Sequence, residues 1–138
     1  MSTMRVEVVS AEQEIFSGEA TMLIATAEAG DVGIYPQHTP MLTRLKAGDV
    51  RLMVEGGEEE VIYVSGGILE VTPKVVTVLS DTAMRADDID EAAALEAQRK
   101  AEQALKDTKA DINYAKAKAE LAQAAAQLTA LKKLKKVR

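Results

Sequence analysis

Val61-Ile62-Tyr63-Val64-Ser65-Gly66-Gly67-Ile68-Leu69-Glu70-Val71-Thr72-Pro73-Lys74-Val75-Val76-Thr77-Val78-Leu79 is a series of short apolar runs cut by turn formers. Val61 to Val64 reads as a mostly apolar strand. Ile68 to Val71 and Val75 to Leu79 read as a hairpin around Pro73-Lys74. Ser65-Gly66-Gly67 leads into a further strand rather than a helix, so it reads as a bulge or turn and not as an anion-binding loop. Outward from this stretch, Met4 to Val9, Thr21 to Thr26 and Val50 to Val54 read as further short strands. Gly56-Gly57 marks a hairpin with a longer loop through Glu58-Glu59-Glu60, and Pro36, Pro40 and Gly48 punctuate the remainder. Many short strands at close spacing predict an antiparallel β-sandwich or flattened barrel.

The pattern changes after Met84. From Asp87 onward there is no Gly or Pro. Asp87 or Asp88 is suited to cap a helix running to about Lys106, with Asp90 and Glu91 in its first turn. Asp107 to Asp111 reads as a short connector, and Asp111 as the cap of a second helix ending near Leu134. Each helix should be about 30 Å long, and the short connector makes them antiparallel neighbours. The predicted class is therefore α+β, with a β-sandwich over 1–86 and a two-helix hairpin over 87–138. The expected apolar stripe is mostly alanine: Ile89, Ala92, Ala93, Ala97, Ala101, Ala104 and Leu105 on the first helix, and Ala117, Leu121, Ala124, Leu128 and Leu131 on the second. Alanine favours the helix but buries little area, and burial is worth about 25 cal/mol per Å². The hairpin should be helical yet weakly held, either as a fixed cover on the sheet or as a detachable arm.

Composition excludes several classes of function. The 138 residues contain no Cys, no Trp, one Phe and one His. Disulfides, thiolate metal sites, His-rich metal clusters and Cys–His catalysis are out of reach. Stacking platforms for nucleic acid are nearly absent. Met1 to Glu7 lacks the apolar region of a signal peptide, and no run approaches the roughly 20 apolar residues of a membrane span. The expectation is a cytoplasmic protein that meets a membrane only through partners. Charge is uneven: residues 1–86 carry 6 basic and 13 acidic side chains, 87–131 carry 6 and 9, and 132–138 carry 5 and none. The cations Lys132, Lys133, Lys135, Lys136 and Arg138 suit either an acidic partner or the negative end of a helix.

Catalytic patterns are missing. His38 lies in the stiff loop Tyr35-Pro36-Gln37-His38-Thr39-Pro40 and reads as a hydrogen-bonded structural residue. Ser10, Ser17, Ser65 and Ser80 have no nucleophile-elbow context, and no phosphate-cradling Gly-rich lysine motif occurs. No catalytic or metal-binding residues are expected.

Three stretches together resemble the epsilon subunits of bacterial F-type ATP synthases: Gly30 to Pro40, Tyr63 to Val71 with Val76 to Leu79, and the hairpin opening at Asp88-Ile89-Asp90-Glu91-Ala92. Val8 to Gln13 fits as well, so the likeness spans the chain in order. It implies a sandwich of about ten strands that binds the gamma subunit and sits on the c-ring. It also implies helices that lie on the sandwich or rise into the alpha/beta catalytic head and inhibit hydrolysis, at the cytoplasmic face of the inner membrane. By position, Ser10 and His38 fall on the gamma side and Asp31 on the c-ring side, with the five terminal cations toward the head. The family's ATP motif, Ile/Leu-Asp-x-x-Arg-Ala, is matched at Ile89, Asp90 and Ala94, but Ala93 stands in place of arginine. That removes a charge-assisted phosphate donor. No cofactor is expected, and Ile89, Asp90 and Arg99 are what is left for a weak regulatory ATP site. The alternative reading is a stand-alone sandwich adaptor whose hairpin binds another partner.

Overall fold

A computed structural model describes residues 2–107 and 111–137. Eight strands come first: β1 Met4–Ser10, β2 Glu14–Ala27, β3 Gly30–Ile34, β4 Met41–Val54, β5 Glu59–Val64, β6 Gly67–Val71, β7 Val75–Ser80 and β8 Ala83–Arg85. A single 3-10 turn, Ala86–Asp88, leads to α1 Glu91–Asp107 and α2 Asp111–Val137.

The strands run in the order β3-β2-β1-β7-β6-β4-β5-β8, and an extra β2–β4 pairing closes the sheet on itself. Two strands serve both layers. The first half of β2 pairs with β1 from Glu14 to Ala20, and its second half pairs with β3 and β4. Likewise β4 pairs with β6 through Met41–Leu45 and with β5 through Gly48–Met53. The expected ten strands are thus eight continuous ones, because these two 14-residue strands each do the work of two. They bend rather than break: neither Gly18 nor Gly48 takes up a positive φ. Gly48 is needed where it stands, since a Cβ there would lie 2.7 Å from the Cβ of Thr26. The pairing is also not wholly antiparallel, for β1 and β7 run parallel from Arg5↔Val75 to Ser10↔Ser80.

Alternation explains the core. Val6, Val8, Leu23, Leu52, Ile62, Leu69 and Val78 point between the layers. Strand β5 is buried on both faces, which is why Val61 to Val64 reads as unbroken apolar sequence. Ile62 and Val64 face the sandwich core, whereas Val61 and Tyr63 face outward into a second cluster with Ala86, Ile89, Ala126, Ala130 and Leu134. Helix α2 therefore covers the outside of β5, and α1 packs on α2.

The helices differ from expectation in four ways. Asp90, not Asp87 or Asp88, caps α1: its Oδ1 accepts the Ala93 N–H at 3.1 Å. Asp87 and Asp88 belong to the preceding turn, closed by the Ile89 N–H to Ala86 carbonyl bond. Of the expected first stripe Ile89 and Ala101 are buried, but Ala92, Ala93 and Ala97 are exposed, and Ala94 joins Ala101 in the α1 seam instead. On α2, Ala117 and Ala124 are buried as expected, while Ala126, Ala130 and Leu134 form a second stripe toward the sheet. With 27 residues α2 is about 40 Å long rather than 30. The connector residues 108–110 and Arg138 lie outside the described residues.

Candidate partner-binding surfaces

The outward face of the β4–β6–β7–β1 layer carries large apolar side chains. Leu42 is 68% exposed, Ile68 42% and Leu79 48%. Ile68 lies directly opposite Leu79, Val9 pairs with Leu79 on the next strand, and Leu42 sits beside Glu70. Their neighbours in sequence, Leu69 and Val78, point into the core, so this is a set of outward-phase residues that ought to be polar. It lies on the opposite layer from α2. Exposed apolar residues grouped in this way make the face a candidate docking surface, with Arg44 and Glu70 between Leu42 and the Ile68–Leu79 pair.

Ser10 and His38 bracket this face without converging. Ser10 works as a turn former: its hydroxyl donates to the Gln13 carbonyl at 3.1 Å and accepts the Gln13 N–H at 3.2 Å. It lines a shallow depression with Val9, Gly66, Ile68 and Leu79. His38 lies near the other end of β1, in a depression with Tyr35, Pro73 and Val75, and its Nδ1 is 2.7 Å from the Thr39 carbonyl. The length of β1, about 20 Å, separates them. Ser65 and Ser80 are tied into the adjoining turns through Gly66 and Thr82. Sequence reasoning passed over Leu42, Ile68 and Leu79. The signal available was their phase, apolar on the side that alternation assigns to solvent.

The second surface lies under α2. Asp31, exposed near the start of β3, lines a depression with Thr26, Gly48, Asp49, Thr129 and Lys133. Asp49 is 4% exposed, and its Oδ1 accepts from Lys133 Nζ at 2.7 Å. Lys135 Nζ is 3.4 Å from Glu91. Lys132 and Lys136 are exposed. Two of the terminal cations are thus engaged by the chain's own acids. Tyr63, buried under α2, is held above the usual phenol range by that burial, and a hydrogen bond with Gln127 of the helix works against it.

The remnant ATP residues are not assembled into a site. Ile89 is buried in the cluster beneath α2, and Asp90 is occupied as the α1 cap. Arg99 is held by Glu96 at 2.6 Å, which lowers the Glu96 carboxyl through that hydrogen bond and the guanidinium charge. Asp90 and Arg99 are nine positions apart, about 13 Å along the helix. Titration calorimetry with ATP should give a dissociation constant weaker than about 1 mM. Micromolar affinity would mean that Ala93 has been overvalued. Among the described residues no group of three or more His, Asp or Glu is placed to hold a metal ion, and no helix is long and apolar enough to cross a membrane.

Comparison with known proteins agrees along the whole chain. The family model for the ATP synthase Delta/Epsilon chain β-sandwich domain matches residues 3–86, and that for the Delta/Epsilon chain long α-helix domain matches 87–132. The chain is 60% identical over 134 residues to the ATP synthase epsilon chain of Nitrosococcus oceani, covering 97% of this chain and 96% of that one. It is 55% identical over 136 residues to the epsilon chain of Nitrosospira multiformis, covering 99% and 98%. Its fold matches a chain in the structure of the Euglena gracilis mitochondrial ATP synthase with a TM-score of 0.84 at 17% identity, covering 95% of this chain and 82% of that one.

Proposed function

The chain belongs to the family of ATP synthase epsilon chains, and on that premise we propose that it is a non-catalytic rotor subunit whose two parts divide the work. Residues 1–86 bind the rotor and 87–138 form a regulatory arm. The observation that carries this reading is the placement of an exposed apolar face, Leu42, Ile68 and Leu79, on the layer opposite the one the arm covers. The gamma subunit docks there, between Ser10 and His38, leaving the arm free of that interface. Asp31 faces the polar loops of the c-ring. The membrane is met only through these partners, at the cytoplasmic face of the bacterial inner membrane.

In its raised state the arm inhibits ATP hydrolysis by entering the alpha/beta head, where exposed Lys132 and Lys136 meet acidic surfaces. Lys133 and Lys135 join them only after leaving Asp49 and Glu91. Exposed pairs are worth about 0.2–1 kcal/mol each, so the cluster biases the switch rather than throwing it. The arm meets its seat largely through small side chains of α2, Ala126 and Ala130 with Leu134, which suits a part that must come away. The test is to remove residues 87–138 from the assembled enzyme. Gamma binding should survive and ATP hydrolysis should rise severalfold. Unchanged hydrolysis would overturn the regulatory reading, and loss of gamma binding would overturn the division of labour.

A further inference from the structure

Asp49 is the one buried carboxylate among the described residues. Its surroundings offer it little besides Lys133. The neighbouring hydroxyls are committed elsewhere: Thr26 donates to the Asp49 backbone carbonyl and Thr129 to the Ala125 carbonyl. The side chains of Ala47, Ala125 and Ala126 are apolar, and Gly48 has none. Asp31, an exposed second acid, lines the same depression. Arg51 is a second, longer ion-pair partner: its Nε, which has no hydrogen-bond acceptor, lies 3.8 Å from Asp49 Oδ2, and its NH1 lies 3.6 Å from Glu59. The close, charge-assisted bond to Asp49 comes from α2, 84 positions along the chain, at 2.7 Å.

We propose that Asp49 and Lys133 form a latch that ties the seated position of the arm to the presence of one cation. While α2 lies on the sheet, Asp49 is shut away from water and takes its close charge-assisted hydrogen bond from the ammonium group. When α2 leaves, water reaches both ends and neither is left buried, so the latch opposes lifting without making it irreversible. The pair also sets the register of the helix, since a slide of one turn, about 5.4 Å, would draw Nζ out of reach. The two ends are unequal. The Lys133 side chain is 31% exposed and can swing into water on its own, whereas Asp49, 5% exposed, cannot. Loss of the lysine therefore leaves a buried carboxylate with only the longer Arg51 contact, whereas loss of the carboxylate frees a lysine that can turn to water.

That inequality is what hydrogen exchange on the full chain will read. In Lys133→Met, amides of α2 between 121 and 134 should exchange about 10- to 100-fold faster, with those of β6 and β7 unchanged. In Asp49→Asn the α2 amides should change by less than about fivefold. The double variant should return close to the Asp49→Asn rate, because the stranded charge is gone. Lys133→Arg should keep most of the protection. Unchanged α2 exchange in Lys133→Met, a double variant as loose as Lys133→Met, or equal loosening of β6 and β7 would each overturn the latch. The consequence for hydrolysis rests on the regulatory reading above: Lys133→Met, by freeing the arm, should deepen inhibition in the assembled enzyme. Fast α2 exchange with unaltered inhibition would leave the latch standing and remove that reading.

Discussion

Gly67→Ala should cost the sandwich about 3 kcal/mol or more and lower its thermal midpoint by about 10 °C or more, followed by circular dichroism in the β-sheet band. Gly67 opens β6 with φ at 142°, a backbone conformation that L side chains rarely adopt. A Cβ there would lie 1.9 Å from the Leu79 carbonyl oxygen and 3.0 Å from the Ser80 Cα, and both of these are backbone atoms. No side-chain rotation relieves that contact. The β6–β7 pairing must open at its Ile68↔Leu79 end or the preceding turn must rebuild. That turn is braced by Ser65, Ser80 and Thr82, so rebuilding it breaks several bonds at once. Gly56→Ala is the control. Its φ is also positive, at 101°, but nothing lies within 4 Å of the added Cβ. It should cost about 1 kcal/mol, the strain alone. Equal, mild effects at both positions would mean that the β6–β7 backbones are not held as close as described.

Local pattern carried most of the fold. The breakers Gly56-Gly57 and Pro73-Lys74 fall between strands, Gly66-Gly67 marks the start of β6, and the shift to acidic, alanine-rich sequence after Met84 coincides with the change to helix. What local pattern does not hold is where a long strand changes layer. Glu14 to Ala27 mixes Ser17, Gly18 and Glu19 into a continuous extended segment, and only its later apolar half stands out as a strand. The choice of helix cap fails for a similar reason. Asp87, Asp88 and Asp90 are equally competent acceptors, and burial of Ala86 and Ile89 beneath α2 decides among them.

The functional surfaces were legible in part. Ser10, Asp31 and His38 could be named, but their distribution over different edges of the sandwich depends on topology. Asp49 follows Gly48, and nothing in the local sequence marks it as buried. Residues of α2, Ala125, Ala126 and Lys133, pack around it. Lys133 likewise looked like one charge of five, and its partner lies too far along the chain for any periodicity to reveal. The alanine stripes were legible only in part: Ala101, Ala117 and Ala124 are buried as expected, but when nearly every position on a helix is small, phase cannot be read from size, and only the facing elements select Ala94, Ala126 and Ala130.

The apolar face gives the largest expected effect on assembly. Ile68→Asp should weaken binding to the gamma subunit by about 30-fold or more, as for an interface anchor worth about 2 kcal/mol or above. The fold should tolerate the change, because Ile68 already meets solvent and its inward neighbour Leu69 is untouched. Leu79→Asp, directly across the β6–β7 pair, should behave alike, and the two together should lose less than the product of the single effects, since they address one patch. Leu95→Asp, at an equally exposed leucine on α1, is the control and should leave binding unchanged. Salt gives a second, independent reading. An apolar interface should be nearly insensitive to ionic strength, whereas exposed cations meeting an acidic surface are screened over about 8 Å at physiological salt. Gamma binding that collapsed with salt but ignored Ile68→Asp would place the rotor contact on charged residues and leave the Leu42, Ile68 and Leu79 face without the role assigned to it.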